Sequence, residues 1–180
     1  MNRYSKLQIQ LHWLTLVLIA IACAAMELRS LFPKGSSAYL LMRETHYNAG
    51  IFILLLMIIR VIINNKYITP AITPPPPAWQ MISAKFMQTL LYLSFLVLPI
   101  SGLAIMVFGG KAWSLLGIDI PTFANTDGEV KSVAKTIHES LANIGYLLIT
   151  LHAGAALIHH YIQKDNTLVR MLPEHQHDKK

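Results

Sequence analysis

The sequence predicts an all-α fold: an integral membrane four-helix bundle, up-down-up-down, in a single membrane domain over residues 1–180. Three observations carry this. Four apolar stretches, Leu11–Met26, Tyr47–Ile63, Met87–Phe108 and Leu141–Ile162, each approach the ~20 residues a helix needs to cross a bilayer. Hydrophobic residues make up 54% of the chain and charged residues only 13%, against roughly 25% charged in soluble domains. Mean hydropathy is +0.46. These figures exclude a water-soluble enzyme and a disordered chain, and make the lipid bilayer the principal solvent. The single cysteine excludes an internal disulfide framework and a cysteine cage for zinc or iron–sulfur. With so apolar a chain, the pI of about 9.5 speaks to which membrane face the basic residues occupy, and no nucleic-acid partner is expected.

The expected helices are 9–30, 46–65, 84–108 and 138–163, followed by a cytoplasmic tail over 164–180. Arg3 and Lys6 before the first stretch and Ala24–Ala25 within it are reminiscent of a signal peptide. His12 and Trp13 at the start of the apolar run argue against a segment destined for removal. The second stretch ends at a connector, Tyr67–Trp79, whose Pro74–Pro77 run favours extended polyproline geometry. Pro99 and Gly102 lie inside the third stretch, where a membrane bundle tolerates them. Gly109–Thr136 carries turn signals at Gly109-Gly110, Ile120-Pro121 and Asp127-Gly128, with Lys111–Leu116 expected as a short interfacial helix. No internal repeat is present.

Orientation follows from the basic residues. With a cytoplasmic N-terminus, the inner side holds Arg3, Lys6, Arg60, Lys66, Lys85, Lys164, Arg170, Lys179 and Lys180. The outer side holds Arg29, Lys34, Arg43, Lys111, Lys131 and Lys135. Nine against six places both termini in the cytoplasm by the positive-inside rule.

Six of the eight histidines lie in or at the ends of the apolar stretches, where ionisable groups are costly and are functional candidates by default. His12 opens the first helix, His46 the second and His138 the fourth; His152 lies deep in the fourth, with His159 and His160 towards its end. His138 and His152 are 14 residues apart, within about 40° of four full turns, so they share a face about 21 Å apart along the axis. Gly145 stands midway on that face and leaves room for something flat and bulky. Two donors so far apart cannot hold one zinc ion, but each can serve a different metal. Alternating helix direction puts His46 and His138 at one depth near the outer side, and His12 and His152 at a second depth further in. Facing histidines in a lipid-embedded bundle suit the axial positions of haem b, and no Cys-x-x-Cys-His exists for covalent attachment.

Other readings bear on the same residues. A lone intramembrane histidine more commonly serves as an interhelical hydrogen-bond partner; four at two matched depths favour ligation. Met26, 14 residues after His12, is the rival ligand at the outer level, and Cys23 fits small-residue packing. Arg60 has the same 14-residue offset from His46 and is a candidate haem-propionate partner, with snorkelling to the inner interface as the equal alternative. Lys135 is a candidate propionate partner at the outer level, or a solvated loop lysine. Trp13, Trp79 and Trp113 suit belt anchoring, and His175 and His177 a solvated tail.

The stretches Arg3–Ile9 with Leu11-His12-Trp13, Thr45-His46, His138–Tyr146, Leu151-His152-Ala153, and His159-His160-Tyr161 followed by Lys164–Leu168 resemble the bacterial cytochrome b561 family of four-helix dihaem membrane proteins. Within that family the chain is similar to the superoxide:ubiquinone oxidoreductases. The resemblance extends from Tyr4 to about Pro173. It implies two haem b cofactors, ligated by the residues matching His12, His46, His138 and His152, which agrees with the depth argument. It also implies a ubiquinone site near the inner haem, with His159 as a quinone contact, and a bacterial inner-membrane location. An anionic substrate favours a positive approach path; on the outer face six basic residues are balanced by Glu27, Glu44, Asp119, Asp127, Glu129 and Glu139, so steering falls to a local cluster of Arg43, Lys131 and Lys135.

The function expected is therefore an oxidoreductase that passes electrons from periplasmic superoxide to ubiquinone, with no protein partner required. One alternative is a cytochrome b subunit relaying electrons between quinone and a partner dehydrogenase or hydrogenase, against which the short loops argue. A non-redox alternative is a membrane protein whose histidines handle metal ions or protons.

Overall fold

The computed structural model describes residues 3–122 and 126–173. Four helices dominate it: α1 Lys6–Arg29, α2 Ser37–Lys66, α3 Ala78–Phe108 and α4 Gly128–Ile158. All four are long and apolar enough to cross a bilayer, and the chain is a multi-pass membrane protein.

α1, α2 and α4 begin before the apolar stretches because polar side-chain caps set their N-termini, whereas α3 begins after Pro77 without a side-chain cap. Ser5 and Gln8 form a reciprocal capping box at α1, with Ser5 N–H donating to Gln8 Oε1 (3.1 Å) and Gln8 N–H to Ser5 Oγ (3.3 Å). Ser36 Oγ accepts from Tyr39 N–H at 3.3 Å, so α2 starts well before position 46. Asp127 Oδ1 accepts from the N–H groups of Glu129 (2.9 Å) and Val130 (3.0 Å) and starts α4 well before position 138. His46 and His138 consequently lie about three turns inside their helices instead of opening them.

α1 packs along α2 and α3 along α4, and α2 joins the two hairpins by packing on α3. α1 and α4 stand further apart and meet through long side chains. The buried cluster of Ile19, Ala22, Ala49, Ile53, Met57 and Phe95 is small for a bundle of this size. Leucines and isoleucines such as Leu14, Leu55, Ile100, Leu147 and Leu151 are exposed, as expected of surfaces that meet lipid.

Lys111–Leu116 is no helix. Trp113–Leu115 (β1) pairs antiparallel with Ile118–Ile120 (β2) in register Trp113 to Ile120. Leu116 (φ +52°) and Gly117 (φ +84°) make the turn, and two consecutive positive-φ residues give the twist a two-residue hairpin needs. α2 holds this hairpin: Asn48 Nδ2 donates to Ser114 O (2.9 Å), Leu116 N–H donates to Asn48 Oδ1 (2.8 Å), and Ser114 N–H donates to Glu44 Oε2 (3.2 Å).

The tail is solvated only in part. A π-helical turn, His159–Gln163, follows α4, and the chain then straps back across the end of the bundle at which α1 begins. Asn166 N–H donates to Thr73 O (3.1 Å) and Thr73 N–H to Asn166 Oδ1 (2.8 Å). Tyr4 N–H donates to Arg170 O (3.1 Å), Trp13 Nε1–H to Met171 O (2.8 Å), and the Arg170 guanidinium to Pro70 O. Asp165 and Arg170 are buried in this strap. His175 and His177, with the rest of 174–180, lie outside the described residues.

Candidate functional site

The bundle brings the four histidines together as two pairs. His46 of α2 faces His138 of α4 with ring centroids 6.0 Å apart and planes at 82°. His12 of α1 faces His152 of α4 at 6.4 Å and 59°. Imidazoles hydrogen-bonded directly through their ring nitrogens would have centroids about 5 Å apart. Two imidazoles on opposite sides of one metal, with bonds of about 2 Å, would have them about 6–6.5 Å apart. An edge-to-face contact spans the same range, so the choice turns on the nitrogens.

In the outer pair both Nδ1 atoms are engaged by backbone. His46 Nδ1 lies 2.9 Å from Ala22 O, and His138 Nδ1 lies 2.8 Å from Leu98 O and 3.1 Å from Ser101 Oγ. Carbonyl oxygens only accept, so each Nδ1 carries the hydrogen and each Nε2 keeps a lone pair for a metal. Gly102 makes the approach of His138 feasible: a Cβ there would stand 3.1 Å from His138 Cε1 and 3.4 Å from Nδ1. The two rings open on a partly open cavity with a mostly apolar lining. Small residues Ala22, Gly50, Ala142 and Gly145 line it, with Phe95 opposite. Cys23 lines it too; Met26 is not among its lining residues.

The inner pair is differently prepared. Arg60 Nη2 lies 3.2 Å from His12 Nδ1, and a guanidinium only donates, so Nδ1 is here the acceptor. Holding a metal on His12 Nε2 therefore requires Arg60 to release that ring or the ring to shed its second proton. Arg60 also lies 5.5 Å over the Tyr92 ring, at the inner end of α2.

Each level offers two protein donors, and among the described residues no three His, Cys, Asp or Glu side chains converge on a metal position. A bare ion would be under-coordinated, whereas haem brings four in-plane nitrogens and needs two axial ligands. The residues present thus fit haem, the outer pair completely and the inner pair on the condition that His12 frees a lone pair.

The remaining candidates are spread out. Arg43 is paired with Glu44 (Nη2 to Oε1, 2.8 Å) and lies 5.9 Å over Tyr47. Lys135 Nζ lies 3.4 Å from Glu139 Oε1, both side chains more than half exposed. Lys131 lies along α3's end, its side chain 3.4 Å from where a Gly109 Cβ would stand. His159 Nδ1 lies 2.5 Å from Asp165 Oδ2 at the inner end. Sequence reasoning overlooked the carbonyls of Ala22 and Leu98, which have no side-chain signature, and also Ser101, Gly102, Asn48 and Asp165. Gly102 inside an otherwise bulky α3 was the readable signal for a close approach.

The sequence profile for prokaryotic cytochrome b561 matches residues 3–174. The chain is 61% identical over 173 residues to cytochrome b561 homolog 1 of Escherichia coli strain K12, covering 96% of this chain and 98% of that protein. It is 41% identical over 173 residues to a Yersinia pestis protein named probable superoxide oxidase CybB, covering 96% and 97%. It is 30% identical over 180 residues to cytochrome b561 homolog 2 of Escherichia coli strain K12, covering 98% and 95%.

Proposed function

This chain belongs to the prokaryotic cytochrome b561 family, membrane electron-transfer proteins that bind haem b, and from that premise we propose that it is a dihaem superoxide:ubiquinone oxidoreductase of the bacterial inner membrane. The observation that carries the proposal is the double pairing of histidines, 6.0 Å and 6.4 Å between rings, at two depths of one bundle. The name of the 41%-identical Yersinia relative supports the choice of superoxide.

Bound haem b would supply one-electron redox chemistry at both levels. The protein's part is to hold, orient and exclude. His46 and His138 present Nε2 while Ala22 O and Leu98 O fix their rings. At the inner level His12 and His152 are the holding pair, and Arg60 is the cation beside them for a propionate carboxylate. Held by His46 with His138 and by His12 with His152, the haems would supply outer-sphere electron transfer from superoxide. Gly145 keeps the face between the two levels clear. Both termini lie in the cytoplasm, so superoxide arrives from the periplasm past Arg43, Lys131 and Lys135, and ubiquinone arrives from the bilayer beside His159 at the inner end. The electrons balance when two superoxide ions leave as dioxygen while one quinone takes up two protons and becomes quinol.

The haem-to-chain ratio of the purified protein tests the reading. Two haem b per chain are expected, both reduced by superoxide and both reoxidised by ubiquinone. One haem per chain would remove the dihaem relay, and absence of a Soret band would leave the metal- or proton-handling reading.

A further inference from the structure

The π turn His159–Gln163 ends at Lys164, whose left-handed backbone (φ +57°) folds the chain back on itself. Asp165 N–H donates to His159 O at 3.1 Å, and Asp165 Oδ2 lies 2.5 Å from His159 Nδ1. The other carboxylate oxygen, Oδ1, accepts from Thr167 N–H at 2.8 Å. The Asp165 side chain is 3% exposed and that of His159 is 17% exposed. Burial pushes the Asp165 carboxyl up, but hydrogen bonds from His159 and Thr167 outweigh it and hold the group below its ordinary value. An ionised carboxylate has no hydrogen to give, so His159 Nδ1 is the donor and Nε2 is the one ring nitrogen left for a ligand. Among the described residues the other charged groups of the strap are Lys164, which is exposed, and Arg170, which bonds Pro70 O and lies over Tyr4; His160 on the same turn packs its ring on Tyr161.

We propose that Asp165 is a positioning residue for proton transfer, fixing His159 through Nδ1 so that Nε2 hands a proton to a quinone carbonyl oxygen as the quinone is reduced. The proposal rests on the quinone reading of His159 given above. Two electrons come from two superoxide ions, which leave as dioxygen, and two protons form the two O–H bonds of the quinol. At the carbonyl oxygen facing it, His159, as imidazolium, breaks its Nε2–H bond and becomes the neutral ring with Nδ1–H still on Asp165, while the second carbonyl oxygen takes its proton from water. His159 regains its proton from water at the inner surface. The buried carboxylate holds the ring and selects the tautomer, as an aspartate does for the histidine of a hydrolase triad.

The test uses the holoprotein with superoxide as donor and ubiquinone-1 as acceptor. Asp165→Asn keeps the size and an oxygen for Thr167 but removes the charge and permits the wrong tautomer. The expected result is a kcat lower by about tenfold or more, a KM for ubiquinone-1 within about twofold of wild type, and unchanged haem reduction by superoxide, with Asp165→Glu recovering part of the rate. Wild-type kcat in Asp165→Asn, or a raised KM with kcat intact, would overturn the proposal and leave the quinone reading standing. If Asp165→Asn loses haem, nitrogen NMR of the reduced, ¹⁵N-histidine-labelled wild type decides, with His159→Gln assigning the signal. Protonated Nδ1 supports the proposal, and a neutral ring protonated at Nε2 overturns it. A wild-type protein that never reduces ubiquinone-1 overturns the quinone reading and this proposal together.

Discussion

Replacing Gly102 by alanine sets two effects of opposite sign against each other. In a helix interior the change is worth about 1 kcal/mol in favour of alanine on propensity. At this position the new Cβ would stand 3.1 Å from His138 Cε1 and 3.4 Å from Nδ1, so the ring must retreat by a few tenths of an ångström. That ring is held by Leu98 O at 2.8 Å and Ser101 Oγ at 3.1 Å, and the retreat stretches or breaks one of these bonds, worth about 0.5–1.5 kcal/mol net. Loss of an orienting partner typically lowers metal affinity by about 10–100-fold, or about 1.4–2.7 kcal/mol. The expected protein folds, keeps the inner haem, and holds the outer haem about 10–100-fold more weakly. Gly154→Ala is the control: nothing stands within 4 Å of its Cβ, so it gains propensity without a clash. Haem titration of the apoprotein, read by the Soret band, measures both. Unchanged haem affinity in Gly102→Ala would show that His138 does not ligate from the position it occupies here.

The histidine pairs predict a pattern of loss: His46→Ala or His138→Ala should remove the outer haem alone, and His12→Ala or His152→Ala the inner one alone, by haem-to-chain ratio. Two haems with an unchanged spectrum in His46→Ala would mean that another group is the ligand. Gly145→Leu should lower outer haem occupancy or split its spectrum, because its side chain would enter the cavity beside Phe95 and Leu98; normal loading would mean that no macrocycle lies there. Superoxide is an anion, so Lys135→Glu, alone or with Arg43→Glu, should slow haem reduction by superoxide about two- to threefold at low salt and leave reduction by quinol unchanged. The effect is small because Glu139 and Glu44 already pair with these cations, and rates insensitive to both salt and charge reversal would remove steering.

The bundle was legible because a bilayer imposes a length that any apolar run displays. Its helix ends were less so, since Ser36 and Asp127 sit outside the apolar runs and act through only one or two hydrogen bonds each. The grouping of histidines by depth follows from a 14-residue spacing and alternating direction, and the rings stand 6.0 Å and 6.4 Å apart. What aims those rings did not show, because Ala22 and Leu98 contribute carbonyls that every residue has. The hairpin at Trp113–Ile120 replaces the short helix expected over Lys111–Leu116, because its turn uses Leu116, a residue that seldom takes positive φ. Asp165 was hidden for a related reason: it meets His159 only through a π turn and a left-handed Lys164, a geometry without a sequence period.

The most direct measurement is the stoichiometry of a superoxide pulse given to the purified holoprotein with ubiquinone-1. The expected result is one quinol formed and two dioxygen released for every two superoxide ions consumed, with quinol formation dependent on intact haem. Superoxide decaying at its spontaneous rate, with no haem reduction and no quinol, would contradict the account and move the protein to electron relay with a separate dehydrogenase or hydrogenase.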